Sequence, residues 1–595
     1  MAVMHDHKGE DGAALLIVLA VAAVLTMLMT LLVGLSINGM RQAHSDADWN
    51  AALAAAYAGV DEYQSRISDD TSYYRYGNSA SGFSAGSTLS PPPIANPAFG
   101  VGAGSSWATV PGSDGSAQFR YEVDNSLYPT TGRIRIRSTG KVGNATRTVI
   151  ADLKQQGFID FLYFTDYEVQ DPSIASRTDS SCYNSAGALK YAWEGRSGNC
   201  NEISFGGSDE SNGPVHSNDT IRACGSEFNG TVTTAKPTAP YYLNKDASGS
   251  TCAAADFALA GYPTYSGGVI GMPATNSQLK KETRTDLTED DVPRPGCLYT
   301  GPTQFTFLSN GTVNIKSPFT KYTRIGNANA TTGSTPAECG AIAALQSPDG
   351  ATITVPENNV MYVQNVPAVS TDVNYWKTST NPTNFTCTSN GSSSGRGWTF
   401  GTGRYPAGYP VKTSSSSTTE AAPTSTTYDC RAGDVFVKGQ FDGAATIAAE
   451  NYVFIVGDLT YADEQDDILG LVGNNAVWVY NPVNSSGRLL DRSDHGRTIE
   501  AAILSVAHTF QVQNYDKDTK RGTLTVRGAI AQRYRGPVGT GNSWGIVTGF
   551  AKNYVYDERF KYKAPPKFLN PVTTTYGVTS WVETAAVWAA DGSAR

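Results

Sequence analysis

Two aspartates that follow glycines, in Gly433-Asp434-Val435 and Gly457-Asp458-Leu459, recur at an offset of 24 residues. In a stack of strands this repeat would set their carboxylates about 5 Å apart, near the roughly 5–9.5 Å that glycoside hydrolysis uses. A repeating Gly-Asp is also what a turn produces when the aspartate bonds to its own backbone, with no chemistry attached. The pattern Gly-x-Ser-x-Gly of a nucleophile elbow occurs at Gly82–Gly86, Gly391–Gly395 and Gly541–Gly545. The first two sit in polar loops without the strand that must precede an elbow, and no histidine follows Ser543 to complete the usual Ser–Asp–His order. Asp463, Glu464, Asp466 and Asp467 crowd four carboxylates into five residues. They form a candidate calcium site or a solvated loop, and the EF-hand spacing is absent. No Walker-type loop or His-Glu-x-x-His is present. These residues predict a protein that is not an enzyme and takes no cofactor.

The eight cysteines lie at 182, 200, 224, 252, 297, 339, 387 and 430. None forms a CxxC pair and no histidine lies at ligand spacing, which argues against zinc. An even number outside any metal motif suits four disulfides in an oxidising compartment, with about 105 pairings open to sequence alone. Pairing consecutive cysteines, Cys182 with Cys200, Cys224 with Cys252, Cys297 with Cys339 and Cys387 with Cys430, would close short loops, each worth roughly 2–4 kcal/mol. Charged residues make up 17% of the 595 and the net charge is −9, with no run of four Lys or Arg, so a basic nucleic-acid face is not expected.

These side chains must be carried by elements. Ala13 to Leu35 is an unbroken uncharged stretch of 23 residues; as a helix it spans roughly 34 Å, enough for a bilayer core. The leader before it, Asp6, Glu10 and Asp11 against Lys8, is acidic and unlike a cleaved signal peptide. Lys8 is opposed by Arg41, so charge does not fix the orientation. Trp49, Leu53, Tyr57, Val60, Tyr63 and Ile67 then recur at three and four, an amphipathic continuation that needs a sheet to pack on. Phe119–Val123, Ile134–Arg137 and Arg147–Leu153 supply strands, and Asp69–Gly115 reads as a long surface excursion. The predicted order is a leader over 1–12, a helix over 13–67 and a small α+β domain over 68–157. A β-solenoid-like region with Ser/Thr/Gly-rich loops follows over 158–480, and a strand-rich carboxy-terminal cap over 481–595.

The solenoid expectation rests on short glycine-spaced strands, clearest in Gly433–Ile447 and Tyr452–Tyr461. About 24 residues fit one coil of a parallel β-helix, and stacked coils bury a core that no single coil could. Paired hairpins in a sandwich would give a similar pattern. The inserts Thr388–Gly397 and Ser414–Thr427 read as exposed loops. Arg533–Pro537, Tyr554–Phe560 and Lys561–Pro566 form a basic, aromatic stretch: a partner surface, or stems packed over the flank with wet tips.

The run Gly12-Ala13-Ala14-Leu15-Leu16-Ile17-Val18 resembles the amino terminus of type IV pilin-like proteins, in particular the PilX-type minor pilins. The resemblance implies cleavage by prepilin peptidase between Gly12 and Ala13, and a mature helix that joins those of other pilins. It also implies that the small domain is pilin-like. Ile17 stands where major pilins carry glutamate, which argues against a repeating shaft subunit. Gly213-Pro-Val-His-Ser-Asn-Asp219, Ile468–Ala476 and Ala531–Gly539 resemble segments of an uncharacterised family of exported, pilus-associated bacterial proteins. The fold expected is therefore a long transmembrane helix, a small α+β pilin-like domain and a large, mainly-β, disulfide-braced solenoid like a parallel β-helix. Single-pass in the cell membrane with its bulk outside, on the cell surface or a pilus, it would serve pilus assembly, initiation or adhesion to glycans, host or abiotic surfaces. The alternative is a membrane-anchored extracellular β-helix that binds or degrades polysaccharide.

Overall fold

The computed structural model describes residues 11–100, 107–128, 132–155, 157–175, 179–197, 200–207, 209–287, 295–388, 396–402, 406–413, 415–423, 427–490, 495–542, 545–572 and 576–595. Residues 1–10 of the leader, the serine motif at 391–395 and Ser543 lie outside them, as do parts of both Ser/Thr/Gly-rich inserts. The chain forms two compact units, one of residues 1–155 and 575–595, the other of residues 156–574.

The first unit opens with helix α1, Asp11–Asp69. Alanine-rich and free of proline, α1 has no internal reason to break. At Asp70 the carboxylate accepts from the Ser72 amide at 2.9 Å and starts a short 3-10 turn instead. The apolar half from Leu15 is long and hydrophobic enough to cross a membrane, and none of its most apolar window is buried against protein. The distal half docks on an antiparallel sheet of β1 (Ala108–Thr109), β2 (Ala117–Asp124), β3 (Arg133–Val142), β4 (Ala145–Gln155) and a closing strand, Tyr576–Thr584. Ala56, Val60, Tyr63 and Ile67 meet Phe119, Tyr121, Ile134, Ile136, Val149 and Leu153 in one core.

Small residues set the spacing. A Cβ on Gly140 of β3 would lie 2.1 Å from the Ala52 carbonyl oxygen and 2.2 Å from the Ala56 nitrogen. This contact corrects the helical stripe expected from large residues. Trp49 and Tyr57 lie outside the core; the Arg147 guanidinium covers Trp49 at 5.1 Å and the edge of Trp581 meets Tyr57 at 4.9 Å. The excursion over 69–115 is likewise more than surface: Phe99 is buried edge-on to Tyr121 at 5.1 Å.

The second unit carries short strands in long ladders. One ladder runs through β5 (Tyr163–Tyr167), β6 (Val215–Ser217), β7 (Val232–Thr234) and β8 (Thr264–Tyr265) on one side. Beyond it, in sequence order, lie β9 (Cys297–Thr300), β10 (Thr303–Leu308), β11 (Thr312–Lys316), β12 (Asn359–Gln364) and β13 (Ala407–Tyr409). Then come β14 (Val435–Phe441), β15 (Ala444–Ala449), β16 (Tyr452–Tyr461), β17 (Ile468–Gly473) and β18 (Ala476–Val479). The long strands β19 (Arg497–Val512), β20 (Lys520–Tyr534) and β21 (Gly545–Tyr556) follow.

The first ladder continues from β5 to β20, β19, β17, β15, β12 and β9, every step parallel. Its order is not that of the chain: β5, near the start of the unit, inserts beside β20, near the end. Val435–Val437, Tyr452–Ile455 and Ala476–Val479 make a second parallel ladder that ends on Phe510–Val512 of β19. Phe307, Gly439, Leu459, Ile499, Val526 and Tyr554 mark a third. Strand β16 bends at Val456–Asp458 to serve two ladders, and β19 serves all three. Inward residues are Val, Ile, Leu, Phe and Ala in one continuous core.

Residues 497–534 thus belong to the ladders and are not a cap placed over them, while 576–584 leave the unit and pair with β4, Tyr576 opposite Gln155. Substituting Gly140 by Val should force α1 off the sheet, an overpacking cost of about 1–3 kcal/mol. The exposed Gly577, whose Cβ would meet nothing within 4 Å, should accept Ala within roughly 0.5 kcal/mol. Thermal melting of the two variants checks the pair.

Candidate functional site

The strand register separates Asp434 from Asp458. Val435 pairs with Val453 and Gly439 with Leu459, so the two Gly-Asp units occupy different corners and not successive levels of one. Asp434 is completely buried. Its Oδ1 accepts from Asn451 Nδ2 at 2.6 Å and the Tyr452 amide at 3.2 Å. Burial, the largest influence, pushes its carboxyl up to about 7. Asp458 is exposed, accepts from the Thr498 amide at 3.0 Å and faces Arg497 at 3.8 Å. One acid without access to substrate and one exposed strand acid bonded to a neighbouring strand do not make a hydrolytic pair.

The four-acid run divides in the same way. Asp467 points inward, its carboxylate accepting from the Gly443 and Asp463 amides, each at 2.7 Å. Asp463 in turn caps Gln465 at 2.8 Å, and Glu464 pairs with Arg527. Among the described residues no group of three or more His, Cys, Asp or Glu is placed to hold a metal ion. Ser84, centre of the first serine motif, is buried and donates to the Val123 carbonyl at 2.7 Å. The cysteines join consecutively: Cys182–Cys200, Cys224–Cys252, Cys297–Cys339 and Cys387–Cys430.

Within the basic stretch at 533–537, Arg535 is neither a surface contact nor a wet tip. Arg535 is buried, its guanidinium 2.7 Å from the Glu168 carboxylate and 3.6 Å above the Phe205 ring. Its amide reaches the Tyr167 and Val169 carbonyls, each at 3.1 Å. Burial holds the Glu168 carboxyl above the ordinary carboxylate range, against the pull of Arg535. Tyr554 and Tyr556 are likewise inside the core.

Beside this pair, Gly213–Asp219 works as a hub. Asp219 Oδ2 takes Arg196 at 2.7 Å and the Glu168 amide at 3.0 Å, and Arg196 grips Glu202 with two bonds at 2.8 and 2.9 Å. Asn218 bridges Asp166 and both backbone groups of Ile270. Burial lowers His216 to about 4, so it is neutral between Thr233 and Asn218. Sequence reasoning missed Arg196, Glu202, Glu168 and Arg535 as a network; the only local signal was the polar run that ends in Asp219.

An open cleft of about 590 Å³ lies on the outer face of β11, β10 and β14. Alternation puts Phe305, Phe307, Val313, Ile315, Val435 and Val437 in the core. Their neighbours Gln304, Thr306, Asn314, Lys316, Phe436 and Lys438 line the cleft. Register aligns these as two rows across the strands, Lys316–Gln304–Phe436 and Asn314–Thr306–Lys438. Pro406 to Tyr409 and Val411 to Thr413 form the wall. Tyr409 stacks on Phe436 at 4.0 Å and 8°.

No protein-family model matches the chain, and no curated protein matches it. Among solved structures, the competence-associated pilin ComZ from Thermus thermophilus aligns with 90% of this chain and 97% of that one at 12% identity. The TM-score is 0.24, too low to carry an argument about fold or function.

Replacing Arg535 by Ala leaves Glu168 buried and alone and should cost about 3–5 kcal/mol, while Arg535→Met with Glu168→Leu should recover most of that loss. Denaturant melts of the four proteins decide it. Asp434 gives a pH signature. Its folded value lies above the unfolded one near 3.9, so its stabilisation is complete below about pH 4 and is lost as pH rises through about 7. Asp434→Asn should therefore gain on the parent protein between pH 5 and pH 8, by on the order of a few kcal/mol. Paired thermal melts at the two pH values measure the gain.

Proposed function

We propose that the chain is a non-catalytic, membrane-anchored surface protein of the minor-pilin type, which carries its second unit outside the cell for filament assembly, initiation or adhesion. One observation carries the reading: α1 is a single helix of 59 residues. Its first half is an unburied apolar rod and its second half is locked to an antiparallel sheet through Gly140. An ordinary anchor needs only the rod. A rod made rigid with the folded unit can move from lipid into a bundle of like helices, exchanging one apolar surrounding for another. Gly12 and Ala13 are then the cleavage site, prepilin peptidase the processing partner, and other pilins the assembly partners.

In this reading the second unit is a β-solenoid with the three ladders as its faces. Steps of 24 residues support it, Ala445 onto Leu469 and Val453 onto Val477, as does the bend in β16 that passes the chain from one ladder to the next. Four disulfides suit the oxidising side of the membrane. A unit of this size favours one or a few copies at a filament tip over a repeating shaft. The alternative of an anchored polysaccharide-binding β-helix is favoured by the cleft on β10, β11 and β14. Its degrading form loses the pair it needed when Asp434 is sealed in the core.

Protein extracted from membranes should begin at Ala13, and Gly12→Ala should abolish processing while leaving insertion intact. The processed form should sediment with sheared filaments. An unprocessed Met1 start, or its absence from filaments that are otherwise intact, would return the protein to the class of ordinary anchors.

A further inference from the structure

We infer that the cleft over β11, β10 and β14 binds an acidic saccharide. The inference rests on the reading that the second unit is displayed at the cell surface, and it assigns that unit a ligand class. In a chain of net charge −9, the described residues lining this cleft include three lysines, Lys316, Lys412 and Lys438, and no Asp or Glu. None of the three forms a salt bridge among the described residues, unlike Lys552, which pairs with Asp209 at 2.7 Å. Lysines collected without carboxylates favour an anion.

The rest of the lining says what kind of anion. Gln304 and Thr306 present an amide and a hydroxyl from the floor, and Asn314 turns its Nδ2 to the Asp349 carbonyl at 3.0 Å, leaving its oxygen as an acceptor. Tyr409, Val411 and Val456 make the opposite side apolar. A sugar ring has the matching two-sidedness, with C–H groups on one face and hydroxyls around the rim. A uronic acid adds one carboxylate per ring. The volume, about 590 Å³, falls within the roughly 300–1,000 Å³ of small-ligand sites.

Nucleic acid fits less well. Base recognition on single strands uses an open aromatic face for stacking, and here the Tyr409 and Phe436 rings are closed on one another with Phe436 buried. The register adds a spacing. Lys316 and Lys438 stand in adjacent rows at opposite edges of the three-strand floor, so a chain lying obliquely across the strands would meet a cation at each end.

The test is calorimetric titration of the full-length protein in detergent with an oligogalacturonate tetramer, the neutral tetramer maltotetraose, inorganic phosphate and a short single-stranded DNA. The acidic saccharide should bind, more weakly at higher salt, and tighter than the neutral one by roughly tenfold or more, the worth of one charge-assisted hydrogen bond. Lys316→Gln with Lys438→Gln should erase that difference with the melting curve unchanged, and Lys316→Arg with Lys438→Arg should retain it. The inference is overturned by equal binding of acidic and neutral sugars, by binding that the glutamine pair leaves intact, or by no saccharide binding at all. Tighter binding of DNA or phosphate through these lysines would overturn it too. Each measurement is made on isolated protein, so a negative result leaves the filament reading standing, and loss from sheared filaments leaves this one standing.

Discussion

A buried ion pair between residues 367 positions apart, Glu168 and Arg535, holds the join on which the large unit depends. Strand β5 stands in the first ladder between β6, which follows it in the chain, and β20, near the end of the unit, so ladder segments from both ends of the unit meet there. A parallel seam of apolar strands has little to fix its register, because any slip of two residues restores the same alternation. Charge removes that freedom. A displaced β5 would leave a carboxylate and a guanidinium buried without each other, a loss larger than most single contacts supply. The hub of Asp219, Arg196 and Glu202 reinforces the same seam from the next strand over, through the Glu168 amide.

The smaller unit is held by the opposite means, with contact so close that no side chain fits between. Gly140 lies against the backbone of α1 at Ala52 and Ala56, and large residues around it fill the core. This intimacy lets a half-exposed helix stay continuous. An apolar rod in water gains nothing from order by itself, and its straightness is inherited from the half that is docked.

What could be read from the sequence follows the range of the forces involved. The helix and the three strands of its sheet depend on neighbours within a few dozen residues, and periodicity reached them; counting pointed to four disulfides but left their pairing open. Large apolar residues on α1 suggested a stripe through Trp49 and Tyr57, but the partner surface demanded alanine, and only the opposing glycine reveals why. Arg535 read as a surface cation because its partner is remote and a charge seldom goes inside. Asp434 and Asp458 looked equivalent because the spacing of 24 residues is real for β15–β17 and β16–β18, while β14–β16 is stepped by fewer. The cleft had no motif, since its lysines come from three separate segments, two aligned by strand register and the third brought in by the wall.

Placing the closing strand at residues 576–584 has a consequence for how the chain is made. Its partner β4 ends at Gln155, so the whole large unit is synthesised before the small sheet receives its last strand. The seam at β5 waits almost as long, for β20. Until then β4 has a bare edge and Glu168 lacks its counter-ion, the features that invite mispairing in an unfinished chain. Products truncated before Arg535 would carry both faults together, and those that end between it and Tyr576 only the bare edge. Completeness of translation is thus written into the hydrogen bonding of two separate sheets, and an incomplete chain is exposed to proteases from both.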